Sequence, residues 1–332
     1  MKSVLNAEGN LKVYNEQLKR VERQLAKLLV GKKPKSLYEP CSYILQAGGK
    51  RLRPFLVLIS AKAVGGNYDQ VYSAALAVEI LHNFTLVHDD IMDNSTLRRG
   101  RLTLHHKYDL STAILAGDSL IALAYQSLLK DCNNDSKKIF STFTQGIVEV
   151  CEGQSLDKEF ESRSSVSIDE YKKMIYKKTA ALAEMCCSIG AQIVGADHKQ
   201  LKAMSNYGKN LGMAFQIQDD LLDITAEENE FGKKVGSDLI EGKKTYLFLR
   251  ALEKAKGPDR VALFNVIKQK GVKKSEVSKY KALYIKLSVI EDAEREIVKY
   301  TKLALRNLSS LQNEEGKIIM QWLANYLVNR SK

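Results

Sequence analysis

No proline occurs between residues 55 and 257, because the chain's four prolines lie at positions 34, 40, 54 and 258. A proline inside a helix removes a backbone hydrogen bond, and its ring clashes with the preceding turn. Nor does any segment show sustained alternation of polar and apolar residues, the pattern of a half-buried strand. The sequence therefore predicts an all-α fold with long helices.

Apolar residues recur at helical spacing along most of the chain. Leu18, Val21 and Leu25 share one face of a first helix, and the segment from Gln70 to Asp93 is apolar around most of its circumference, as in a buried central helix. Further helices are predicted at 109–131, 138–160, 168–195 and 199–224, followed by a loop at 226–244, a short helix between Gly257-Pro258 and Gly271, and two more helical stretches. Ser167 and Glu170 match the capping box of the helix at 168–195. We expect one domain spanning residues 1–332.

The composition narrows the class of protein. Hydrophobic residues make up 45% and charged residues 27%, a balance typical of globular proteins. The net charge of +12 suits nucleic acid, an acidic membrane surface or anionic small molecules, but no nucleic-acid-binding motif accompanies it. The five cysteines form no CxxC pair, as expected in a reducing cytoplasm. Neither a signal peptide nor an apolar run of about 18 residues for a membrane span is expected.

Two acidic motifs carry the strongest chemical signal, VHDDIMD at 87–93 and FQIQDDLLD at 215–223. Aspartates four residues apart share a helix face, and such a cluster on an apolar helix is costly unless a divalent cation neutralises it. One such motif alone is more often a solvated helix end, but two on apolar helices favour metal binding. Mg²⁺ binds through one or two carboxylates and leaves positions for water and phosphate. The predicted metal ligands are Asp89, Asp90, Asp93, Asp219, Asp220 and Asp223.

Basic residues accompany both motifs. Lys50, Arg51 and Arg53 crowd the loop GGKRLRP, and Arg98-Arg99 follows the first acidic motif. Arginine matches phosphate oxygens in a bidentate geometry. Because metal ions can hold one diphosphate, the separate basic loop predicts a second, metal-free diphosphate pocket.

Four more residues are candidate functional residues, and each also has an ordinary explanation as a surface or core residue. Lys178, Lys233 and Lys243 lie on a helix and in the loop beside the second motif, where isolated lysines are usually surface charges. His82 lies two helical turns before Asp89, where a histidine is often a satisfied core group. His88-Asp89 also fits a metal-dependent HD phosphohydrolase, but that fold needs more histidine ligands than five scattered residues readily supply.

The motifs taken together resemble the trans-prenyl diphosphate synthases, most closely the archaeal geranylgeranyl type. The resemblance covers residues from about 40 to 250 and rests on the order GGKRLRP, LHNFTLVHDDIMD, RRG, AGDSL, KTA, FQIQDDLLD, GKKVGSD and GKKT. It implies a helical bundle around a deep central cavity, the isoprenoid synthase fold. Two departures are Leu247 after GKKT and Lys234 in GKKVGSD, where the family often has proline, and both affect the geometry of the loop that holds Lys233 and Lys243.

The resemblance also implies the roles of the site residues. Residues implied for catalysis are Asp89, Asp93, Arg98, Lys178, Asp219 and Lys233. Residues implied to bind isopentenyl diphosphate are Lys50, Arg51, His82 and Arg99. Residues implied to bind the allylic diphosphate are Arg98, Lys178, Thr179, Gln216, Lys233 and Lys243. About two or three Mg²⁺ ions, with Mn²⁺ as a substitute, would stabilise the departing diphosphate, and the allylic cation would then be attacked by isopentenyl diphosphate.

The expected product is geranylgeranyl diphosphate (C20). The tail would grow along the central helix, where Phe84 lies about 7.5 Å and Leu81 about 12 Å below Asp89. Bulky Phe84 followed by small Thr85 resembles the archaeal geranylgeranyl type, although Phe84 also fits a plain core role. A farnesyl (C15) product or one of C25 and above remains an alternative.

The expected partners and the rival functions follow from the same resemblance. It implies a cytoplasmic homodimer with no nucleic-acid partner and no transmembrane segment, and it allows peripheral membrane contact through the product. A terpene cyclase would not need a second diphosphate pocket. A non-catalytic partner subunit would have lost aspartates, whereas both motifs here are complete.

Overall fold

A computed structural model of the chain describes residues 7–132, 135–226, 235–311 and 313–328. These residues pack as two compact units. The first unit comprises Met1–Thr142, Cys186–Lys202 and Leu311–Met320. The second comprises Phe143–Met185, Ala203–Ser310 and Gln321–Lys332. The expectation of one domain over residues 1–332 stays a prediction.

The first unit is helical apart from one small hairpin in its described residues. Its elements are α1 (Ala7–Leu28), α2 (Lys35–Leu45), α3 (Leu52–Ala63), α4 (Tyr72–Met92), strands β1 (Leu97–Arg98) and β2 (Arg101–Leu102), α5 (Leu104–Lys107), α6 (Leu110–Leu129) and the start of α7 (Ser136–Ser162). A 3-10 turn at Tyr68–Val71, capped by Asn67, leads into α4. The strands pair antiparallel in the register Leu97 with Leu102.

The central helix α4 is the core of the first unit. It packs against α3 and α6, and its side chains from Ala74 to Val78 are buried on every side. The apolar circumference that the sequence predicts is therefore confirmed for this part of α4. This burial fixes the direction in which α4 presents its terminal aspartates.

Helix α6 combines a buried face with an exposed apolar one. Leu110, Ile114, Leu115 and Leu129 are all at least 43% exposed. By length and mean hydropathy, 1.3 over its most apolar window, α6 is the one helix in the described part of the chain that could cross a membrane. The sequence predicts no membrane span here, because Asp118 and Gln126 interrupt the apolar run.

The second unit consists of helices in its described residues. They are the rest of α7, α8 (Ile168–Ile175), a π-helical turn (Tyr176–Ala180), α9 (Ala181–Ile193), α10 (His198–Thr225), α11 (Ser237–Ile240), α12 (Tyr246–Lys254), α13 (Gly257–Gln269), α14 (Val277–Lys286), α15 (Val289–Asn307) and α16 (Glu314–Val328), of which α9, α10 and α16 are shared with the first unit. Its apolar core includes residues of α8 and of every helix from α10 to α15.

The all-α prediction is confirmed, and so are the main helices. The capping box at Ser167 and Glu170 begins α8, with the Glu170 carboxylate accepting from the Ser167 N–H at 2.8 Å. Three details differ. The helix expected at 168–195 contains the π turn, the loop expected at 226–244 contains α11, and three helices rather than two follow α13.

Candidate functional site

The first acidic motif lies at the carboxyl end of α4. Asp89 and Asp93 share a face, and the Asp93 N–H donates to the Asp89 carbonyl at 2.9 Å. Asp89 is partly buried and Asp93 is exposed. Asp90 points the other way, is 1% exposed, and accepts a hydrogen bond from Arg98 Nε at 2.6 Å. Burial raises the pKa of Asp90, and the Arg98 charge opposes that effect.

The small hairpin determines where the side chains of Arg98 and Arg99 lie. Arg98 ends β1, and Arg99 and Gly100 form the turn with φ of 51° and 73°. Because these two residues turn the chain through the left-handed region, the side chains of Arg98 and Arg99 diverge. Arg98 reaches Asp90, while Arg99 donates to the Gly48 carbonyl.

The loop from Gly48 to Arg53 receives Arg99. Gly48 and Gly49 have φ of 72° and 129°, and a Cβ on Gly49 would lie 2.8 Å from Arg99 Cζ. The Lys50 side chain is exposed and its carbonyl accepts from the Tyr14 hydroxyl. Arg99 therefore lies against the loop that contains Lys50, and the binding of isopentenyl diphosphate by these two residues stays a prediction.

His82 contacts Arg53, which is not among the predicted ligands of isopentenyl diphosphate, whereas Arg51 is. Arg53 Nη1 lies 3.1 Å from His82 Nε2, and since a guanidinium only donates, this ring nitrogen must accept. The pKa of His82 is well below 6.5 because the ring is buried and because Arg53, Arg99, Arg98 and Arg51 disfavour its charge. The imidazole is therefore neutral at pH 7.

Arg51 instead lies inside the protein. Its side chain is 2% exposed, donates to Glu79 Oε1 at 2.5 Å and to the Leu45 carbonyl at 2.9 Å. The role of Arg51 as a ligand of isopentenyl diphosphate stays a prediction. Arg51 lies in a buried ion pair with Glu79, whereas Arg53 contacts His82. Sequence reasoning did not select Arg53. The signal that could have selected it is its position three residues after Lys50, since the arginine between them, Arg51, is held in the ion pair with Glu79.

The second acidic motif lies near the carboxyl end of α10. Asp219 is partly buried. Asp220 is buried and accepts from Tyr171 Oη at 2.5 Å, the Tyr246 N–H at 2.9 Å and Gln216 Nε2 at 3.1 Å. Burial, followed by the nearby Asp238 charge, raises the pKa of Asp220 to about 7.

Asp223 also has internal partners. It accepts from Ser237 Oγ at 2.7 Å and from the Asp238 N–H at 3.1 Å, which ties α10 to the start of α11. The predicted metal roles of Asp220 and Asp223 stay predictions, and so does that of Asp90. All three carboxylates are already hydrogen-bonded within the protein.

The π turn carries Lys178 and Thr179. Thr179 Oγ1 donates to Gln216 Oε1 at 2.8 Å, so two predicted allylic-substrate residues meet on one side of α10. Lys178 Nζ lies 2.5 Å from Asp157 of α7, a residue that the sequence reading did not single out. A Cβ on Gly153 would lie 2.2 Å from Lys178 N, so α7 approaches the turn closely only because residue 153 is glycine.

The remaining lysines differ in position. Lys243 pairs with Glu241 at 2.8 Å and lies 3.7 Å from Asp238. Its neighbour Lys244 is buried and donates to the Phe160 carbonyl at 2.6 Å. Lys233 lies outside the described residues.

The predicted chain-length residues line up on α4. Leu81 is 1% and Phe84 is 7% exposed, and the Phe84 ring packs edge-on against His88 with 4.7 Å between centroids. Thr85 is partly buried, and its hydroxyl donates to the His82 carbonyl at 2.8 Å. Gly117 of α6 leaves room for His88, since a Cβ there would lie 2.3 Å from His88 Nε2.

The chain is similar to known proteins over most of its length. The polyprenyl synthetase family model matches residues 34–284. A geranylgeranyl diphosphate synthase of Sulfolobus acidocaldarius is 41% identical over 326 residues, which cover 96% of this chain and 98% of that protein. A geranylgeranyl pyrophosphate synthase of Geoglobus acetivorans is 38% identical over 320 residues, covering 96% and 98%.

A solved structure extends the similarity to the fold. The crystal structure of geranylgeranyl pyrophosphate synthetase from Pyrococcus horikoshii Ot3 matches with a TM-score of 0.90 and 37% identity, covering 97% of this chain and 99% of that one. Because the family model spans most of the chain and these relatives match nearly its whole length, the chain belongs to the polyprenyl synthetase family.

Proposed function

We propose that the protein condenses isopentenyl diphosphate with an allylic diphosphate to give geranylgeranyl diphosphate, the product named for the three relatives above. The observation that carries the proposal is the divergence of two consecutive arginines. Arg98 bonds to Asp90 of the acidic motif, whereas Arg99 bonds to the glycine loop. Two adjoining diphosphate sites, one with metal ions and one without, require this division of positive charge.

The donor set of the acidic motifs suits Mg²⁺. Among the described residues, no three or more His, Cys, Asp and Glu side chains are grouped closely enough to hold an ion by themselves. Mg²⁺ typically binds one or two carboxylates and completes its octahedron with water and substrate phosphate. We assign the metal contacts to Asp89, Asp93 and Asp219, and Mn²⁺ fits the same oxygens. When bound, the ions neutralise the charge that develops on the departing diphosphate.

The basic residues divide between the two substrates. Arg98, Lys178 and Lys243, with Lys233, would hold the allylic diphosphate, and Thr179 and Gln216 would lie beside the allylic carbons. Lys50, His82 and Arg99 would hold isopentenyl diphosphate, and we add Arg53 to this group because it contacts His82. The neutral His82 ring accepts from Arg53 and so orients that guanidinium without adding a charge.

The bond changes then require no protein base. The allylic carbon–oxygen bond breaks and its electron pair leaves with the diphosphate. The double bond of isopentenyl diphosphate attacks the cation, and the released diphosphate takes the proton lost from the adjacent carbon. The protein supplies oriented cationic groups, and apolar surroundings that keep water from the cation.

The C20 length is assigned to α4. A product fixed by its diphosphate at Asp89 would run toward Phe84 and Leu81, and small Thr85 leaves space beside the tail. The Phe84 ring packs edge-on against His88, one turn nearer to Asp89, and this contact holds the ring that we assign as the limit of the tail. A C15 or C25 product would place that limit elsewhere on the helix.

We place the contact of a homodimer on α6. Its exposed leucines and isoleucine, Leu110, Ile114, Leu115 and Leu129, form the kind of apolar face that a second copy would cover. A cytoplasmic enzyme with a net charge of +12 and a C20 product would also contact acidic membranes peripherally.

The proposed reaction is tested by product analysis. The protein is incubated with Mg²⁺, isopentenyl diphosphate and each of dimethylallyl, geranyl and farnesyl diphosphate, and the dephosphorylated alcohols are sized. We expect geranylgeraniol, its loss on chelation of the metal, and a loss of about 100-fold or more in kcat for Asp89→Asn. A protein that forms no product with any primer, or that cyclises one substrate alone, contradicts the proposal.

A further inference from the structure

Arg51 and Glu79 form a buried ion pair directly behind the basic loop. Both side chains are 2% exposed, and the Nη1 to Oε1 distance is 2.5 Å. The second terminal nitrogen of Arg51 donates to the Leu45 carbonyl at 2.9 Å. An ion pair that is this buried and that has further hydrogen bonds holds its partners in one geometry.

Glu79 is held from its own helix as well. Asn83 Nδ2 donates to the Glu79 carbonyl at 2.8 Å and lies 3.4 Å from Glu79 Oε1. A second carboxylate, that of Glu22 on α1, lies 3.8 Å from Arg51 Nε. The guanidinium of Arg51 is therefore surrounded by acceptors from α1, α2 and α4, and it is itself only 2% exposed.

The backbone explains why Arg51 turns inward. Arg51 has φ of 45° and ψ of 38°, the left-handed region, and it directly precedes α3. This conformation is uncommon for a residue other than glycine, and it changes the course of the backbone between Lys50 and α3. Lys50 is exposed, and Arg53 is on the first turn of α3 beside His82. The ion pair thus holds Arg51 in place between Lys50 and Arg53, which both belong to the proposed site for isopentenyl diphosphate.

The other end of the pair is equally close to that site. Glu79 precedes His82 by three residues on α4, so the two side chains lie on adjacent turns of one face. The Glu79 carboxylate also acts on Arg99. Desolvation is the largest effect on the pKa of Arg99 and lowers it, whereas the Glu79 charge raises it. The charges of Arg51, Arg98 and Arg53 lower it further. Glu79 therefore offsets the mutual repulsion of several arginines.

We propose that Arg51 and Glu79 are positioning residues that hold Arg53 and His82 in register for isopentenyl diphosphate, and that Arg51 is not itself a ligand of the diphosphate. The inference rests on the proposed function and refines it. A ligand to an anion must reach that anion, whereas the two terminal nitrogens of Arg51 donate to Glu79 and to the Leu45 carbonyl, and its buried Nε faces the Glu22 carboxylate at 3.8 Å. The pair acts by tying the loop to α4 at the point where Arg53 meets His82.

The test uses two variants. Glu79→Gln keeps the shape and weakens the pair, and the double variant Arg51→Met with Glu79→Leu replaces the pair by apolar groups of similar volume, which buried ion pairs often tolerate. We expect both to raise KM for isopentenyl diphosphate by about tenfold, as expected for loss of one charge-assisted contact. KM for the allylic diphosphate should change by less than about twofold, because Arg98 and Lys178 are not touched.

A second measurement does not depend on turnover. Binding of inorganic pyrophosphate in the presence of a chelator reports the metal-free site, and its affinity should fall in both variants by a similar factor. If wild-type protein makes no prenyl product yet binds pyrophosphate this way, the proposed reaction fails while the positioning role is still measured. Circular dichroism establishes that the variants are folded.

The outcomes separate positioning from direct binding. If Arg51 were a ligand restrained by Glu79, Glu79→Gln would free it, and KM for isopentenyl diphosphate would fall or stay the same. That result overturns the proposal, as does an equal rise in KM for both substrates. The control is Lys172→Met with Glu296→Leu, which removes a 2.7 Å ion pair between α8 and α15 and should leave both KM values unchanged.

Discussion

The guanidinium of Arg99 occupies the space that a side chain on Gly49 would need. A Cβ on Gly49 would lie 2.8 Å from both Cζ and Nη1 of Arg99, and Gly49 has φ of +129°. Arg99 also donates to the neighbouring Gly48 carbonyl. The second glycine of the loop is therefore what allows the arginine after the first acidic motif to join the basic loop.

Gly49→Ala should weaken binding of isopentenyl diphosphate. The added methyl displaces Arg99, and its unfavourable backbone strains the loop. We expect KM for isopentenyl diphosphate to rise by about tenfold, because one charge-assisted contact is lost, with little change in KM for the allylic substrate. Steady-state kinetics with each substrate varied in turn measures both constants.

Gly48→Ala is the matched control for that variant. Gly48 also has a positive φ, 72°, but a Cβ there meets nothing within 4 Å. The variant Gly48→Ala therefore adds backbone strain without moving Arg99. If the two variants raise KM equally, strain rather than displacement of Arg99 explains the effect, and the role given to Gly49 is wrong.

Phe84→Ser should lengthen the product. It removes the ring that packs on His88 and that we assign as the limit of the growing tail. With labelled isopentenyl diphosphate, we expect products of C25 and above to replace most of the C20 product. Unchanged product length would show that Phe84 only fills the core.

Thr85→Phe should act in the opposite direction. Thr85 is partly buried and adjoins the same face of α4, so an aromatic ring there takes space from the tail. We expect the main product to shorten to farnesyl diphosphate. The same sizing of dephosphorylated alcohols applies, and a C20 product in this variant contradicts the placement of the tail.

Tyr171→Phe should destabilise the second acidic motif. The Tyr171 hydroxyl is buried and donates to Asp220, which also accepts from the Tyr246 N–H. Loss of a donor to a buried carboxylate costs about 1–3 kcal/mol. We expect Tm to fall by several degrees, since about 1 kcal/mol shifts a protein of this size by roughly 2–4 °C or less.

A neutral hydrogen bond provides the comparison for Tyr171. Tyr280 is also buried, but its hydroxyl donates to the Ala262 carbonyl at 3.3 Å, a longer bond to an uncharged acceptor. Tyr280→Phe should therefore lower Tm less than Tyr171→Phe does. The reverse order would mean that Asp220 gains little from the Tyr171 hydroxyl.

The sequence predicted those features that depend on local patterns. The period of apolar residues located α4, and Ser167 with Glu170 located the start of α8, because both signals lie within one helix. The sequence could not show whether Arg51 or Arg53 belongs to the proposed substrate site. That distinction depends on a left-handed φ at Arg51 and on its ion pair with Glu79, 28 residues away. The same holds for Asp220, whose partners Tyr171 and Tyr246 come from α8 and α12.

His82→Gln should reduce the loss of stability in mild acid. Burial and four arginines hold the His82 pKa well below 6.5 in the folded state, whereas the unfolded chain takes up a proton near pH 6.5. Stability from this group is therefore fully present above about pH 6.5 and falls as pH drops below that value, with a slope of at most about 1.4 kcal/mol per pH unit. Urea unfolding of both proteins between pH 7 and 5 should show the wild type losing stability relative to His82→Gln. The matching variant of exposed His198 controls for loss of an imidazole in general. A difference between wild type and His82→Gln that stays constant, or that grows in favour of the wild type as pH falls, would mean that His82 is protonated in the folded protein and cannot accept from Arg53.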